Sequence, residues 1–244
     1  MIEVKWLAGR RAVVTHTATT FGREIVKKFA EHGAIVAFAA PDIASGERLL
    51  DEINAHSPDS FFAVCDLADK EAVAAFCAIV NERFPIVEIL VNNPYSPVVK
   101  GLFETTDAED SELFQIYQHS IVQTQRAFMG KMLERGNCAI LNVSTNAVFQ
   151  GNIGDLRRST AAATVGGMTR VPVIEGGERN VRANELLVSY GVYEPEMPNA
   201  PLHTNGGRSD IASAVETALF LVSDMSSFVD GVALHVDGGA RRAL

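Results

Sequence analysis

Hydrophobic and polar positions alternate along the chain with two different periods. Short apolar or β-branched runs predict buried strands, and the longer stretches between them carry apolar residues at helical spacing. Strands that are separated by helices in this way favour a parallel sheet covered on both faces. The predicted strands cover 12–15, 35–39, 61–65, 89–92, 139–143, 181–188 and 232–236. The predicted helices cover 21–32, 44–54, 70–83, 112–133, 160–170 and 210–223.

Three predicted helices carry boundary signals. Asp69 precedes the third helix, where its side chain can accept hydrogen bonds from free N–H groups of the first turn. Gly33 follows the first helix and is typical of a left-handed residue at a helix end. Ser209 or Asp210 is placed to cap the last helix. These signals support helices at the predicted places.

The sequence shows no sign of a domain boundary. No Pro/Ser-rich linker, charge block or repeat divides its 244 residues, so we predict a single domain over 1–244. The fold class is α/β: a single-domain, Rossmann-like, doubly wound parallel sheet of about seven strands flanked by helices.

The amino-acid composition excludes several classes of protein. Hydrophobic residues make up 47% of the chain and charged residues 21%, which is typical of a globular protein and excludes a disordered one. The formal net charge of −9 argues against a nucleic-acid partner. No apolar run is long enough for a membrane span, and no signal core follows Met1. Three scattered cysteines and singly spread histidines predict no metal site, and we expect a cytoplasmic location.

Several motifs in order resemble the short-chain dehydrogenase/reductase family over essentially the whole chain. The sequence RSDIA at 208–212 is followed by FLVSD, FVDG and, at 236–239, VDGG, which together look like the last helix and strand of that family. The resemblance implies an NAD(P)-dependent oxidoreductase fold. It also implies that Asp66 contacts adenine, that Asn92 opens the Asn-Asn-Ala-Gly motif and that Ser144 holds the position of the catalytic serine.

The cofactor positions of that family are altered here. Its first strand ends in Thr-Gly-x-x-x-Gly-x-Gly, whose glycines let the backbone approach the pyrophosphate. In this chain only Gly22 is retained, and His16 and Thr20 replace the other two glycines. The acid that would bind the ribose is replaced by Ala40, and we interpret Asp42 as a turn residue or helix cap.

We therefore expect no cofactor on this chain. Gly22, Asp66 and Asn92 are interpreted as remnants of the cofactor site, with Gly22 kept for close packing of a helix on a strand.

The catalytic positions are altered as well. The family needs a Tyr and, four residues later, a Lys that lowers the phenol pKa. Counting from Ser144 places Arg157 at the Tyr position, and counting back from 167–170 places Arg158 there. The Lys position then falls on Ala161 or Ala162. No lysine follows Lys131, so the absence does not depend on the alignment, and only a Ser144 remnant is left. Tyr190-Gly191 replaces the Pro-Gly after the sixth strand.

These losses lead to the main hypothesis. The chain is a catalytically inactive subunit that supports an active paralogous short-chain dehydrogenase, in a heterodimer or heterotetramer whose partner carries NAD(P). The family associates through the helices predicted at 112–133 and 160–170 and through the last strand. Hydroxyacyl-CoA dehydrogenases of the (hydroxybenzyl)succinyl-CoA type in aromatic degradation pair an active subunit with a degenerate one, and this sequence looks like the degenerate kind.

Two alternatives remain open. Halohydrin dehalogenases resemble the family without using a nicotinamide and combine Ser and Tyr with Arg, so Arg157 or Arg158 invites the comparison. However, their Tyr is missing here and Ser144 has no base in the sequence pattern. The chain could also be a non-enzymatic sensor in which Asp66 and Asn92 hold the adenine of a nucleotide or acyl-CoA.

Overall fold

The computed structural model describes residues 4–97, 100–150, 156–189 and 210–239, without the side chains of Gln150 and Arg157. Seven parallel strands form one sheet in the order β3-β2-β1-β4-β5-β6-β7. The strands are β1 Arg11–Val14, β2 Ile35–Ala40, β3 Phe61–Val64, β4 Ile89–Asn92, β5 Cys138–Thr145, β6 Val181–Val188 and β7 Ala233–Val236. The helices are α1 Thr20–Glu31, α2 Ile43–Ile53, α3 Lys70–Arg83, α4 Asp107–Phe114, α5 Ser120–Arg135, α6 Ala147–Gln150, α7 Leu156–Ala163, α8 Val165–Gly176 and α9 Ile211–Val222.

The sheet separates two hydrophobic cores. Alternate residues of a strand face opposite sides, so Ala12 and Val14 of β1 belong to one core and Val13 to the other. Helices α1, α2 and α9 cover the first face, and α3, α5, α7 and α8 cover the second. The predicted doubly wound α/β fold is confirmed.

Two of the predicted helices differ from the observed elements. The helix predicted over 112–133 begins at Asp107 and is interrupted by a π-helical segment, Gln115–His119, before α5 begins. The helix predicted over 160–170 begins earlier, breaks at Thr164 and continues as α8 through Pro172. A hydrophobic period locates a helix but contains no signal for a local change in hydrogen-bond register.

The predicted boundary residues have the expected geometry. The Asp69 carboxylate accepts hydrogen bonds from the N–H groups of Glu71 and Ala72 at the start of α3. Gly33 follows α1 with a φ of +85°, in the left-handed region. Asp210 caps α9 through the N–H of Ala212, whereas Ser209 lies outside the described residues.

The strand order reverses between β1 and β4. Strands β2 and β3 lie on one side of β1, and the chain then crosses over so that β4 lies on the other side of β1. In open parallel sheets, ligands bind in the crevice at the carboxyl ends of the strands at this reversal. We call this place the switch-point crevice: it is bordered by the segment after β1, residues 15–19, and the segment after β4, residues 93–96.

Candidate functional site

The segment after β1 is held by hydrogen bonds within the chain. The Thr17 hydroxyl donates to the Ala39 carbonyl over 2.9 Å, which ties the turn to the end of β2. Thr19 caps α1, because its hydroxyl accepts a 3.2 Å hydrogen bond from the N–H of Gly22. The turn therefore has a fixed conformation that does not require a ligand.

Gly22 lies where α1 approaches this turn most closely. A Cβ atom at residue 22 would lie within 3.0 Å of the His16 carbonyl oxygen and 2.9 Å from Nδ2 of Asn93. The Asn93 side chain donates a 3.0 Å hydrogen bond to the same carbonyl. The backbone contact alone thus demands glycine at residue 22, as expected if the residue is kept for packing.

His16 and Tyr95 meet across the switch-point crevice. Their ring centroids are 6.3 Å apart, and the ring planes are inclined by 39°. Burial lowers the pKa of the His16 imidazole to about 4, and the charge of the nearby Asp66 carboxylate opposes this shift. His16 as a whole is half-buried, but its Nε2 atom is shielded from solvent and has no hydrogen-bond partner among the described residues. The imidazole is therefore uncharged at neutral pH.

At the adenine and ribose positions of the family, the side chains are either bonded within the chain or buried. The exposed Asp66 carboxylate accepts a 2.9 Å hydrogen bond from the N–H of Ala68. Ala40 is fully buried at the end of β2. The Asp42 carboxylate accepts from the N–H of Ser45 over 2.7 Å and caps α2, so its interpretation as a helix cap is confirmed.

Asn92 belongs to a buried chain of polar side chains. Its amide donates to Oδ1 of Asn142 over 2.8 Å, and its oxygen accepts from the Thr124 hydroxyl over 2.7 Å. The Asn142 amide then donates to the hydroxyl of Thr169 over 3.0 Å. This network joins β4 and β5 to α5 and α8, and both ends of the Asn92 amide are used in it. Sequence reasoning missed Asn142, Thr124 and Thr169, because their pairing depends on strand register.

The positions that correspond to the catalytic residues lie together where α7 packs on the end of β5. The Ser144 hydroxyl donates to the main-chain carbonyl of Ala162 over 3.4 Å. Ala161 and Ala162 are fully buried, and Arg158 is only 3% exposed. The side chain of Arg157 lies outside the described residues, as do Tyr190 and Gly191.

Glu185 is a buried carboxyl group that sequence reasoning missed. It pairs with Asn142 across β5 and β6, is 7% exposed and forms a hydrogen bond with Ser144. Burial raises the pKa of Glu185, and the Ser144 hydrogen bond and the Arg170 charge oppose that rise. A charged residue within the otherwise apolar end of the strand sequence VRANELLV was the available signal.

A groove of about 550 Å³ runs between α5 and α8 on the outer surface. Gly130 and Gly167 lie on its two sides, and a Cβ added to either would meet nothing within 4 Å. Val171 of α8 lines the groove and is 55% exposed, whereas Ile174, one turn further along α8, is 84% exposed and lies beside the groove. We call this surface the α5–α8 groove. Its lining also includes Val122, Arg126, Met129, Leu133, Met168 and Glu175.

Within the described residues, no helix is long and apolar enough to cross a membrane. No group of three or more His, Cys, Asp or Glu residues in the same part of the chain could hold a metal ion.

Comparison with known proteins agrees with this architecture. The family model described as short chain dehydrogenase matches residues 10–199. The chain belongs to the short-chain dehydrogenase family. A 3alpha-hydroxysteroid dehydrogenase from Mediterraneibacter gnavus is 29% identical, with 96% of this chain and 98% of that protein covered. The (2S)-[(R)-hydroxy(phenyl)methyl]succinyl-CoA dehydrogenase subunit BbsD from Thauera aromatica is 30% identical, with 96% and 97% covered.

Solved structures of the family superpose closely. One short-chain dehydrogenase/reductase family protein has a TM-score of 0.86 and 27% identity, and the match covers 98% of this chain and all of that one. The likeness extends over the whole sheet, so the altered positions lie within an intact family fold.

Proposed function

We propose that this short-chain dehydrogenase family member is a catalytically inactive subunit that supports an active paralogous NAD(P)-dependent dehydrogenase in a cytoplasmic hetero-oligomer. The observation that carries the proposal is the replacement of the Tyr–Lys pair. Both candidate Lys positions, Ala161 and Ala162, are buried alanines, and Arg158 is buried beside them. A guanidinium is a poor proton donor or acceptor at neutral pH, so it cannot take over the role of a tuned phenol.

The cofactor then belongs to the partner. Ala40 offers no carboxylate to a ribose, and Asp66 and Asn92 already form hydrogen bonds within the chain. These contacts support a role in which the partner binds NAD(P) and this chain binds the partner.

The α5–α8 groove is the surface that we propose for this contact. It combines an exposed apolar side chain, Val171, with two open glycines that allow another backbone to approach closely, and the exposed Ile174 lies one turn further along α8. Its partner would be the matching helices of a paralogous subunit, which present the same length of apolar helix in the same fold. Arg126 and Glu175 at its edge would fix the relative orientation.

We propose a hydroxyacyl-CoA dehydrogenase of aromatic degradation as that partner. The support is a single relative, the Thauera aromatica protein, whose name describes it as a subunit of a succinyl-CoA-type dehydrogenase. The steroid dehydrogenase at similar identity shows that identity at this level does not determine the substrate.

Co-expression with an intact paralogue encoded near the gene tests the proposal. The expected result is a complex that survives purification and has a higher dehydrogenase activity than the paralogue alone. Val171→Asp should abolish co-purification, because it places a charge in the apolar groove. Ile43→Asp is the matched control, since Ile43 is 63% exposed on α2, on the opposite face of the sheet. Failure to co-purify at any salt concentration would contradict the proposal.

One contact favours a second candidate, a non-redox enzyme on the same fold. Ser144, which had no base in the sequence pattern, forms a hydrogen bond with the buried carboxyl group of Glu185. A panel of vicinal haloalcohols tests the halohydrin-dehalogenase alternative. Halide release that is lost in both Ser144→Ala and Glu185→Gln would support it, and no release above background would exclude it.

A further inference from the structure

The switch-point crevice is where an open parallel sheet accepts a dinucleotide, and here two rings of the chain meet in it. We propose that His16 and Tyr95 fill this crevice, so that the chain's own side chains exclude NAD(P). This inference extends the part of the proposed function that assigns the cofactor to the partner.

The position of each ring follows from the strand it succeeds. His16 lies two residues after the end of β1, and Tyr95 lies three residues after the end of β4, the two strands between which the order reverses. The ring centroids are 6.3 Å apart, close enough to leave no passage for a diphosphate between them. Tyr95 also packs against the core beneath β1 and β4, so its ring is supported from below.

The backbone holds His16 in this place. The His16 carbonyl accepts a hydrogen bond from the Asn93 side chain, and the N–H of Asn93 donates to the Thr15 hydroxyl over 3.1 Å. Gly22 approaches the same carbonyl from α1. The two segments that border the crevice are therefore tied to each other, and opening it requires these hydrogen bonds to break.

The charge of the crevice also disfavours a diphosphate. Burial lowers the pKa of His16 to about 4, so the imidazole that replaces a glycine adds bulk and offers no positive charge to a diphosphate. Arg23 is the cationic residue nearest in sequence to the start of α1, and its side chain folds back onto the segment after β1. Its guanidinium donates to the Ala18 carbonyl over 2.7 Å and to the Thr20 hydroxyl over 3.0 Å. A pyrophosphate would have to displace these contacts and the Thr20 side chain, so the residues present do not fit the cofactor.

The test removes the rings and keeps the backbone. His16→Gly/Tyr95→Ala should retain the hydrogen bonds of the His16 carbonyl, since they involve main-chain atoms and Asn93. Binding of NADH and NADPH is measured by nicotinamide fluorescence, and binding of NAD and coenzyme A by titration calorimetry. The wild-type chain should give no signal at nicotinamide concentrations that saturate the double variant, so its affinity is lower by at least about tenfold. His32→Ala is the matched control, because its ring packs on Trp6 at the other end of α1.

Either of two binding results would overturn the inference. One is wild-type binding of any nicotinamide as tight as in the double variant, and the other is a folded double variant that binds none. If the double variant does not fold, a measurement on the wild-type chain tests the inference instead. The ring resonances of His16 should be unchanged when NADH is added, and a shift would contradict the inference. All of these measurements use the chain alone, so their failure is distinct from a failure to co-purify with a partner.

Discussion

The Asn92 amide donates a 2.8 Å hydrogen bond to the side-chain oxygen of Asn142, between two central strands of the sheet. In the family that this chain resembles, Asn92 opens a motif that borders the cofactor. Here it bonds to Asn142 and to Thr124, and these contacts give it a structural role that can be measured separately from any ligand.

Asn92→Ala should therefore destabilise the chain. It leaves Oδ1 of Asn142 without its donor in a buried place, which costs about 2 kcal/mol of the free energy of unfolding. Urea denaturation followed by circular dichroism measures this loss. Asn81→Ala is the control, because Asn81 bonds a helix carbonyl at a partly buried site. Equal losses of stability in the two variants would show that the buried network contributes no more than a single partly buried hydrogen bond.

Gly22 and Gly130 should respond in opposite directions to alanine. A Cβ at residue 22 collides with the His16 backbone, so Gly22→Ala should lower the stability by roughly 2–4 kcal/mol. A Cβ at residue 130 meets nothing, so Gly130→Ala should raise the stability of the isolated chain by roughly 0.5–1 kcal/mol. Thermal unfolding of both variants checks the pair, and a tolerated Gly22→Ala would disprove the packing role of Gly22.

Stability should fall as the pH is lowered, in part through His16. The folded pKa of about 4 lies below the usual histidine pKa of 6.5, so below pH 6.5 the unfolded chain binds a proton that the folded chain does not. His16 then contributes stability that is complete above pH 6.5 and is lost progressively towards pH 4, up to roughly 3 kcal/mol. Unfolding free energies of wild type and His16→Gln, compared from pH 4 to 8, isolate this contribution. His56→Gln, at an exposed site, should keep the wild-type dependence.

Glu185 should lower the stability of the chain as the pH rises, opposite to the effect of His16. Burial raises its folded pKa, so its contribution to stability is full at low pH and is lost as the pH rises through that pKa. Glu185→Gln removes the buried charge and should make the chain more stable than wild type at pH 7, with the difference vanishing under acidic conditions. Glu134→Gln, an exposed site on α5, is the control. A variant that is less stable than wild type at pH 7 would show that the Ser144 and Arg170 contacts outweigh burial.

The strands and most helices could be predicted from the sequence because each depends on a local pattern. The run at 181–188 is β6 to the residue, and Asp69 and Asp210 cap the helices that they precede. The contacts of the site depend on distant residues instead. The hydrogen bond between Glu185 and Ser144 requires the register of β5 against β6, which places Glu185 opposite Asn142. The contact between the His16 and Tyr95 rings requires β1 and β4 to be neighbours in the sheet. Neither of these two contacts is encoded in the spacing of residues along the chain.

Gly130 lies inside α5, and its consequence in the proposed complex concerns the amount of this subunit. A glycine inside α5 makes the isolated chain less stable than it could be, and an assembled partner would restore the difference by mass action. In the proposed complex, chains made in excess of the partner would spend more time unfolded and would be removed by proteases. The open glycines of the α5–α8 groove would then adjust the amount of this subunit to that of its partner without any dedicated regulator.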